Sequence, residues 1–513
     1  MTVAVASSTR LAVALAALAV LSGCSAQFGS GGLSEAPDEA TTTPTPAAPA
    51  AFDGNRSATD RPDPETDVRG WERGYWYDEA LAITAGDGLN DSELDAVVAR
   101  AMARVEHVRD VEFDDPVEVA VRDRSEIGDD VGGDGDGGPT PASVERRALF
   151  LVGDRGGSGG GDPAGDTRTA TVQGYYDPAA DRIVIVTDGS RPILDEVTLA
   201  QELYHAHQFR NRRLAVPVPP TDDNVLALRA LIEGDANLVD RLYERRCEAN
   251  WSCVRPDAGG GNASGGGESG FGAGFDVGVY LRAYAPYAEG EPWVTGVYER
   301  GGWDAVNDLY GDPPRSSEQV IHPDTRGDDE PERVSVPDRS TARWERLTRE
   351  NRRDVVTAGE AGLATMFLDT AFDDRPGGLV APRSVLNREA DGSLDPVDPV
   401  DYDVNYSTGW AGDALAVYRT PDGDPGYVWR LGFDDDAEAR EFARGYRRLL
   451  AYRNGTDVGK HWELTGEFAG AYHLAVDGRE VTVVHAPTAA GLGELWPAAS
   501  APAATNASLL ASK

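Results

Sequence analysis

The spacing of apolar positions changes several times along this chain, and each change marks an element. From Asp91 to Arg109, the residues Leu94, Val97, Val98, Ala101, Met102, Val105 and Val108 recur at helical intervals. Asn90 stands at the N-cap of that helix, with Glu93 three residues on as its capping-box partner. The period then shortens to two. Strands are predicted over 117–121 and 148–152, followed by a hairpin with arms at 169–176 and 182–187 around Asp177-Pro178-Ala179-Ala180-Asp181. Helical spacing returns after Pro192, through 199–208, then over 224–246 with Asp223 as the predicted cap, and again over 275–310. The last third mixes both periods: a helix over 359–372, a hairpin of 414–418 with 427–433, and a helix opened by Asp435 and Glu438 that runs to 453. Strands at 472–476 and 481–485 and a short helix to 495 complete it. The pattern predicts an α+β protein with folded units at 68–345 and 355–496 and a loose tail over 497–513. A length of 513 residues exceeds what one hydrophobic core usually supports, which agrees with two units. Gly-rich insertions at 128–138, 153–166 and 258–270 are expected to be surface loops.

The N-terminus follows a different logic. An apolar run from Leu11 to Leu21 is about half of the roughly 20 residues a membrane span needs, and it closes in Leu21-Ser22-Gly23-Cys24. This resembles the lipobox of secreted lipoproteins, which makes 1–23 a signal peptide and Cys24 the lipidated first residue of the mature chain. The alternative is a generic signal peptide cut elsewhere. Residues 24–67 are rich in Ala, Pro, Thr, Ser and Gly and read as a disordered spacer. The expected location is the extracellular face of the cell membrane, reached through a lipid anchor only. With Cys24 lipidated, Cys247 and Cys253 remain, and a short-loop disulfide suits an oxidising exterior; a cysteine pair on a metal is the rival reading. Asn-x-Ser/Thr acceptor patterns begin at Asn55, Asn90, Asn250, Asn262, Asn405, Asn454 and Asn506, as in a glycosylated surface protein.

Charge narrows the partners. The formal net charge is −39, from 87 acidic against 48 basic residues, and only Lys460 and Lys513 are lysines. Acid-rich, lysine-poor and still 40% apolar, the chain reads as a protein that folds in high salt, where self-repulsion is screened. A field of this sign repels phosphate, so nucleic acid is not an expected partner.

The chemistry concentrates in Leu199-Ala200-Gln201-Glu202-Leu203-Tyr204-His205-Ala206-His207-Gln208. In the zincin pattern His-Glu-x-x-His, two imidazoles one helical turn apart bind a single metal, and the intervening glutamate takes a proton from metal-bound water. Here Glu202 and His205 hold their places while Gln201 stands at the first ligand position. A second helix carries Glu233 in Leu231-Ile232-Glu233-Gly234-Asp235-Ala236-Asn237, 28 residues beyond His205, where a gluzincin supplies its third ligand. Further segments carry the likeness: Gly174-Tyr175-Tyr176-Asp177-Pro178, Gly302-Trp303-x-Ala305-Val306-Asn307, Ser317-Glu318-Gln319-x-x-His322-Pro323 and Gly409-Trp410-x-Gly412-Asp413. Together these resemble a family of gluzincin-type zinc metallopeptidases. The lipobox, acidity and altered ligand are similar to a branch of surface proteins from halophilic archaea.

The resemblance implies a gluzincin-like domain at 68–345, followed by a smaller α+β domain. It implies Glu202 as catalytic base and His205 and Glu233 as metal ligands, with Gln201 at the degenerate position. His322 is a candidate oxyanion stabiliser, although a structural histidine before Pro323 is the plainer reading. His207 and Tyr204 point away from the ligand face. With Gln201 in place the cofactor is expected to be none or weakly bound zinc, the amide either coordinating through Oε1 or hydrogen-bonding Glu233 or His205. Two functions follow: a non-catalytic binding or structural protein of the envelope, able to hold an extended peptide or surface protein, or an active zinc endopeptidase acting on surface or extracellular proteins.

Overall fold

The computed structural model describes residues 61–83, 85–127, 138–153, 174–187, 189, 191–212, 214, 220–256, 276–349, 353–373 and 375–500. The signal peptide, Cys24, Asn55, Asn262, Asn506 and the 501–513 part of the tail lie outside them. Among the described residues, no helix is long and apolar enough to cross a membrane.

The chain opens with a small ribbon, β1 (Trp71–Glu72) and β2 (Tyr75–Trp76). Residues 61–67, expected in the spacer, lie against it: Arg61 pairs with Asp78 and stacks over Trp76, and Asp63 accepts from Trp71 Nε1. Helix α1 (Asp91–Arg109) has the capping box predicted for Asn90 and Glu93. Next come β3 (Glu118–Asp123), the short α2 (Arg124–Ile127) and α3 (Pro141–Ala148). The strand expected over 148–152 is absent. Thr140 caps α3 with Ser143 as reciprocal partner and Pro141 in the first turn, so helix signals override the apolar run, and Phe150 turns the chain in the left-handed region (φ 59°). Strands β4 (Gly174–Asp177) and β5 (Arg182–Thr187) pair as the predicted hairpin does, its residues 169–173 lying outside the described residues, and β3 adds parallel to β5 to give the order β3-β5-β4.

Four helices follow: α4 (Glu196–Asn211), α5 (Asp222–Ala249), α6 (Val277–Gly311) and the one-turn α7 (Glu318–Ile321). The cap of α5 is Thr221, not Asp223; Asp223 reaches across to accept from Ser317 N. In α6 the chain breaks at Gly302, whose φ of 66° only glycine adopts without strain. Helices α5 and α6 touch backbone to backbone, because a Cβ on Gly290 would stand 2.2 Å from the Ala230 carbonyl oxygen and one on Gly234 2.3 Å from the Gly290 oxygen. Helix propensity alone favours Gly290→Ala by about 1 kcal/mol. The clash reverses the sign: the variant is expected to lose about 1–3 kcal/mol in equilibrium unfolding.

The C-terminal region holds β6 (Glu345–Arg346), α8 (Gly359–Phe372), β7 (Trp410–Arg419), β8 (Pro425–Phe433), α9 (Asp436–Tyr452), β9 (Thr456–Asp457), β10 (Trp462–Leu464), β11 (Gly470–Asp477), β12 (Glu480–Ala486) and α10 (Ala489–Leu495). Its strands form one antiparallel seven-stranded sheet, β6-β7-β8-β12-β11-β10-β9. Alternation puts Leu415, Val417, Trp429, Leu431, Val481 and Val483 into a core with α8 and α9. Ala414, Ala416, Val428 and Val484 turn the other way, toward Trp344, Leu492 and Leu495. The larger core also takes Val144 to Leu151, Leu226, Leu281 and Tyr284, so it is continuous across residues 345–355.

Acidity reaches the interior. Burial, and then the nearby Glu106 charge, push the Glu72 carboxyl up to about 10, while Glu106, accepting from Gly70 N and Phe113 N at 2.7 and 2.9 Å, is raised to about 7. A carboxyl whose folded pKa lies above its unfolded one stabilises most below the unfolded value, and that stability declines as pH rises toward the folded one. Melting temperature at constant salt is therefore expected to fall between pH 6 and pH 9. Glu72→Gln should flatten that slope and stabilise by about 1–3 kcal/mol at pH 8.

Candidate degenerate metal site between α4 and α5

Helix α4 begins at a buried ion cluster that sets its position. Asp195 caps it, and Glu196, the first helical residue, accepts from Arg100 Nη2, Arg104 Nη1, Tyr243 Oη and Val254 N, all at 2.7 Å. Burial opposes ionisation of Glu196, but the two guanidiniums outweigh it and hold the carboxyl below its ordinary range. Val254 lies beside the Cys247–Cys253 disulfide, which forms as one of the two readings of those cysteines expects. This cluster ties α1, α4, α5 and the disulfide loop together upstream of the motif.

A second buried cluster fixes the other end. Arg109 holds Asp235 through two bonds of 2.9 and 3.0 Å, and Asp235 Oδ2 also accepts from Tyr204 Oη at 2.5 Å and Tyr310 Oη at 2.8 Å. Tyr204, directed off the ligand face as expected, is therefore a structural link between α4 and α5. His207 likewise packs edge-on against Phe113; burial, then Arg212 and Arg109, lower it to about 4.

Between these anchors, α4 and α5 face each other with paired steps. Gln201 Nε2 donates to Asn237 Oδ1 at 2.9 Å, and one turn on, His205 Nε2 stands 3.4 Å from Glu233 Oε2. Each turn forward on α4 is matched by a turn back on α5, so the helices run antiparallel. His205 Nδ1 and Gln208 Oε1 are 2.8 Å apart, and Gln208 Nε2 donates onward to the Ile232 carbonyl and Tyr310 Oη. That chain makes Nδ1 the donor and turns Nε2 to Glu233. Burial disfavours the imidazolium, yet the Glu233 carboxylate, its contact with the ring, and Glu202 raise His205 to about 9. All four motif side chains are buried: Gln201, Glu202, His205 and Glu233.

Gln201 Oε1, His205 Nε2 and Glu233 Oε2 are buried without a hydrogen bond. Glu202 is engaged: its Oε2 accepts from the Tyr176 backbone N–H at 2.7 Å, the outward-facing amide of the edge strand β4. Glu202 also lines a small recess of about 20 Å³, room for a single water, together with Gly174, Ile183, Ile185, Leu194 and Leu199. The donor chemistry does not fit a resident catalytic zinc, which takes three strong protein ligands and keeps a fourth position open; His205 and Glu233 are two, and the third position offers a neutral amide oxygen.

The structure thus brings His205 and Glu233 together and binds Gln201 to Asn237, not to Glu233 or His205. His322 faces Glu360, at 3.0 Å, and Asp403, both in the C-terminal region. The hydrogen bond to Glu360 raises its basicity despite burial, as befits a structural histidine. Asn237 escaped the sequence reading although it lies one turn beyond Glu233, on the same face. Among the acceptor asparagines, Asn90 caps α1, Asn250 ends α5, Asn405 lies in a turn and Asn454 takes a left-handed backbone (φ 62°).

A family model described as a domain of unknown function (DUF8575) matches residues 345–496, the stretch that contains the seven-stranded sheet. It covers less than half of the chain and does not reach α4 or α5. No curated protein and no solved structure matches the chain.

Proposed function

We propose that this chain is a cell-surface lipoprotein whose 68–345 region is a gluzincin-like metallopeptidase domain that no longer catalyses, and that it has a binding or structural role at the envelope. The observation that carries this reading is the Gln201–Asn237 hydrogen bond. It engages the side chain at the first ligand position in a helix-to-helix contact and leaves a neutral oxygen where the chemistry calls for an imidazole. The ancestry is supported by the His205–Glu233 spacing of 3.4 Å, close to the ~3.3 Å separating two ligands about 2.0–2.1 Å from a tetrahedral zinc. Loss of catalysis is supported by Glu202, which is bound to a backbone amide of the strand that would align a peptide. The partner this reading carries is an extended peptide laid along the outer edge of β4, where Tyr176 N–H would first have to be released by Glu202.

Elemental analysis of the chain purified in molar KCl tests the reading, together with hydrolysis of an unfolded protein substrate by parent and Glu202→Gln. Substoichiometric zinc and no difference between the two chains are expected. Stoichiometric zinc, with hydrolysis abolished by Glu202→Gln, would instead establish the endopeptidase.

A further inference from the structure

A second cluster of oxygen donors lies well apart in the sequence from the motif helices. Glu318 opens the one-turn α7, Asp329 follows in the next turns, and Asp434 sits at the corner between β8 and α9. One carboxylate oxygen from each lies within 4.8 Å of the other two. Acidic clusters are ordinary on a surface this charged, and this one differs in a single respect. Glu318 is only 3% exposed, and its Oε2 is buried with no hydrogen-bond partner. The charges that act on it most strongly, Glu360, Asp329, Asp434 and Asp223, are all of its own sign. Arg479, the base whose charge acts on Asp434, is itself bound to Glu332 at 2.9 and 3.0 Å, and His322 is paired with Glu360. Burial, and then the like charges with Glu360 first, push Glu318 up to about 10.

We propose that Glu318, Asp329 and Asp434 form a calcium site that clamps the 318–332 segment to the β8–α9 corner. Three carboxylates with no nitrogen or sulfur donor select a hard cation. Two oxygens on one calcium, each about 2.3–2.6 Å from it, lie at most roughly 4.6–5.2 Å apart, a range that includes the 4.8 Å bound on this spacing. Asp329 is half-buried and Asp434 exposed, which leaves one side open for the waters that complete six to eight ligands around calcium. Magnesium demands a tighter octahedron and releases its waters reluctantly, so an irregular three-carboxylate cup suits it less. The segment is already docked: Glu332 N donates to the Ala411 carbonyl at 2.6 Å, and Gln319 Nε2 to the Asp329 carbonyl at 2.6 Å. A cation there would join residues before the 345–496 stretch to the sheet inside it.

The test is thermal unfolding of the full chain, stripped of divalent ions, in molar KCl that saturates non-specific counter-ion binding. CaCl2 is titrated against MgCl2 and against additional KCl at matched ionic strength. Calcium is expected to raise Tm saturably by several degrees, because it binds the folded state alone. Glu318→Gln should weaken the calcium response roughly tenfold or more by removing one ligand charge. Asp434→Asn, at an exposed position that leaves the fold intact, should do the same, and calorimetric titration with CaCl2 at fixed temperature reads affinity directly. An absent or non-saturating calcium response in the parent overturns the site. So does an undiminished response in Asp434→Asn, and an equal response to MgCl2 overturns the assignment to calcium.

Discussion

Gln201→His is expected to convert the contact between α4 and α5 into a zinc site, tightening zinc binding by roughly a hundredfold or more. Four-ligand protein sites bind zinc with about 10–16 kcal/mol, so one good ligand is worth about 3 kcal/mol, near two decades in Kd. The remaining ligands are in position: His205 Nε2 and Glu233 Oε2 form a buried ion pair 3.4 Å apart, whose proton zinc would displace, and Gln208 holds the far side of the imidazole. The substitution also releases Asn237, whose amide oxygen now accepts from Gln201. Competition with a chromophoric chelator in molar KCl measures the gain, and Gln201→His combined with His205→Ala should remove it. A gain of less than about tenfold would mean that residues 201, 205 and 233 do not share a centre, and the metallopeptidase ancestry would fall with it. Restored zinc need not restore hydrolysis, because Glu202 Oε2 is held by Tyr176 N–H.

Glu196→Ala is expected to cost about 3–5 kcal/mol of stability. The carboxylate is fully buried and every bond to it is short, so its removal leaves Arg100 and Arg104 as uncompensated charges in the interior and exposes the Val254 N–H and Tyr243 Oη to no partner. Denaturant unfolding at constant KCl reads the loss. A triple variant, Arg100→Met, Arg104→Met and Glu196→Met, should recover much of it, since the penalty arises from stranded charge and not from lost attraction. Because Glu196 titrates below its ordinary range in the folded chain, its contribution is present at neutral pH. It disappears as acidification reaches the depressed folded pKa, a direction opposite to that of Glu72. A Glu196→Ala loss under about 1 kcal/mol would contradict the buried-ion account.

Several of the segments quoted for the resemblance sit at structural joints. Asp413, in Gly409-Trp410-x-Gly412-Asp413, accepts from Trp410 Nε1, Trp429 Nε1, Ala358 N and Gly359 N, and so anchors the start of α8 to the sheet. Ser317-Glu318-Gln319 joins α5 to the 318–332 segment through Asp223 and Asp329. Gly234, inside the Glu233 motif, is where α5 meets α6. A shift at that crossing would move Glu233 relative to His205, so packing and site are coupled.

Local patterns in the sequence determined the α+β character, the capped α1 and α9, the hairpin before α4, the Cys247–Cys253 pairing as one of two options, and the register that puts Glu202 and His205 on one helix. Each depends on neighbours within a few turns, where periodicity and cap chemistry act directly. They misled at 148–152, where an apolar run looked like a strand while Thr140, Pro141 and Ser143 had already started a helix. The tertiary structure alone decided that Gln201 turns to Asn237, that Glu202 meets Tyr176, that His322 belongs with Glu360, and that Glu318 is buried beside Asp434. Those pairings join segments 26 to 116 residues apart. They follow from how far one helix slides along another, a distance set by the glycine contact and the two buried ion clusters, which no local period encodes.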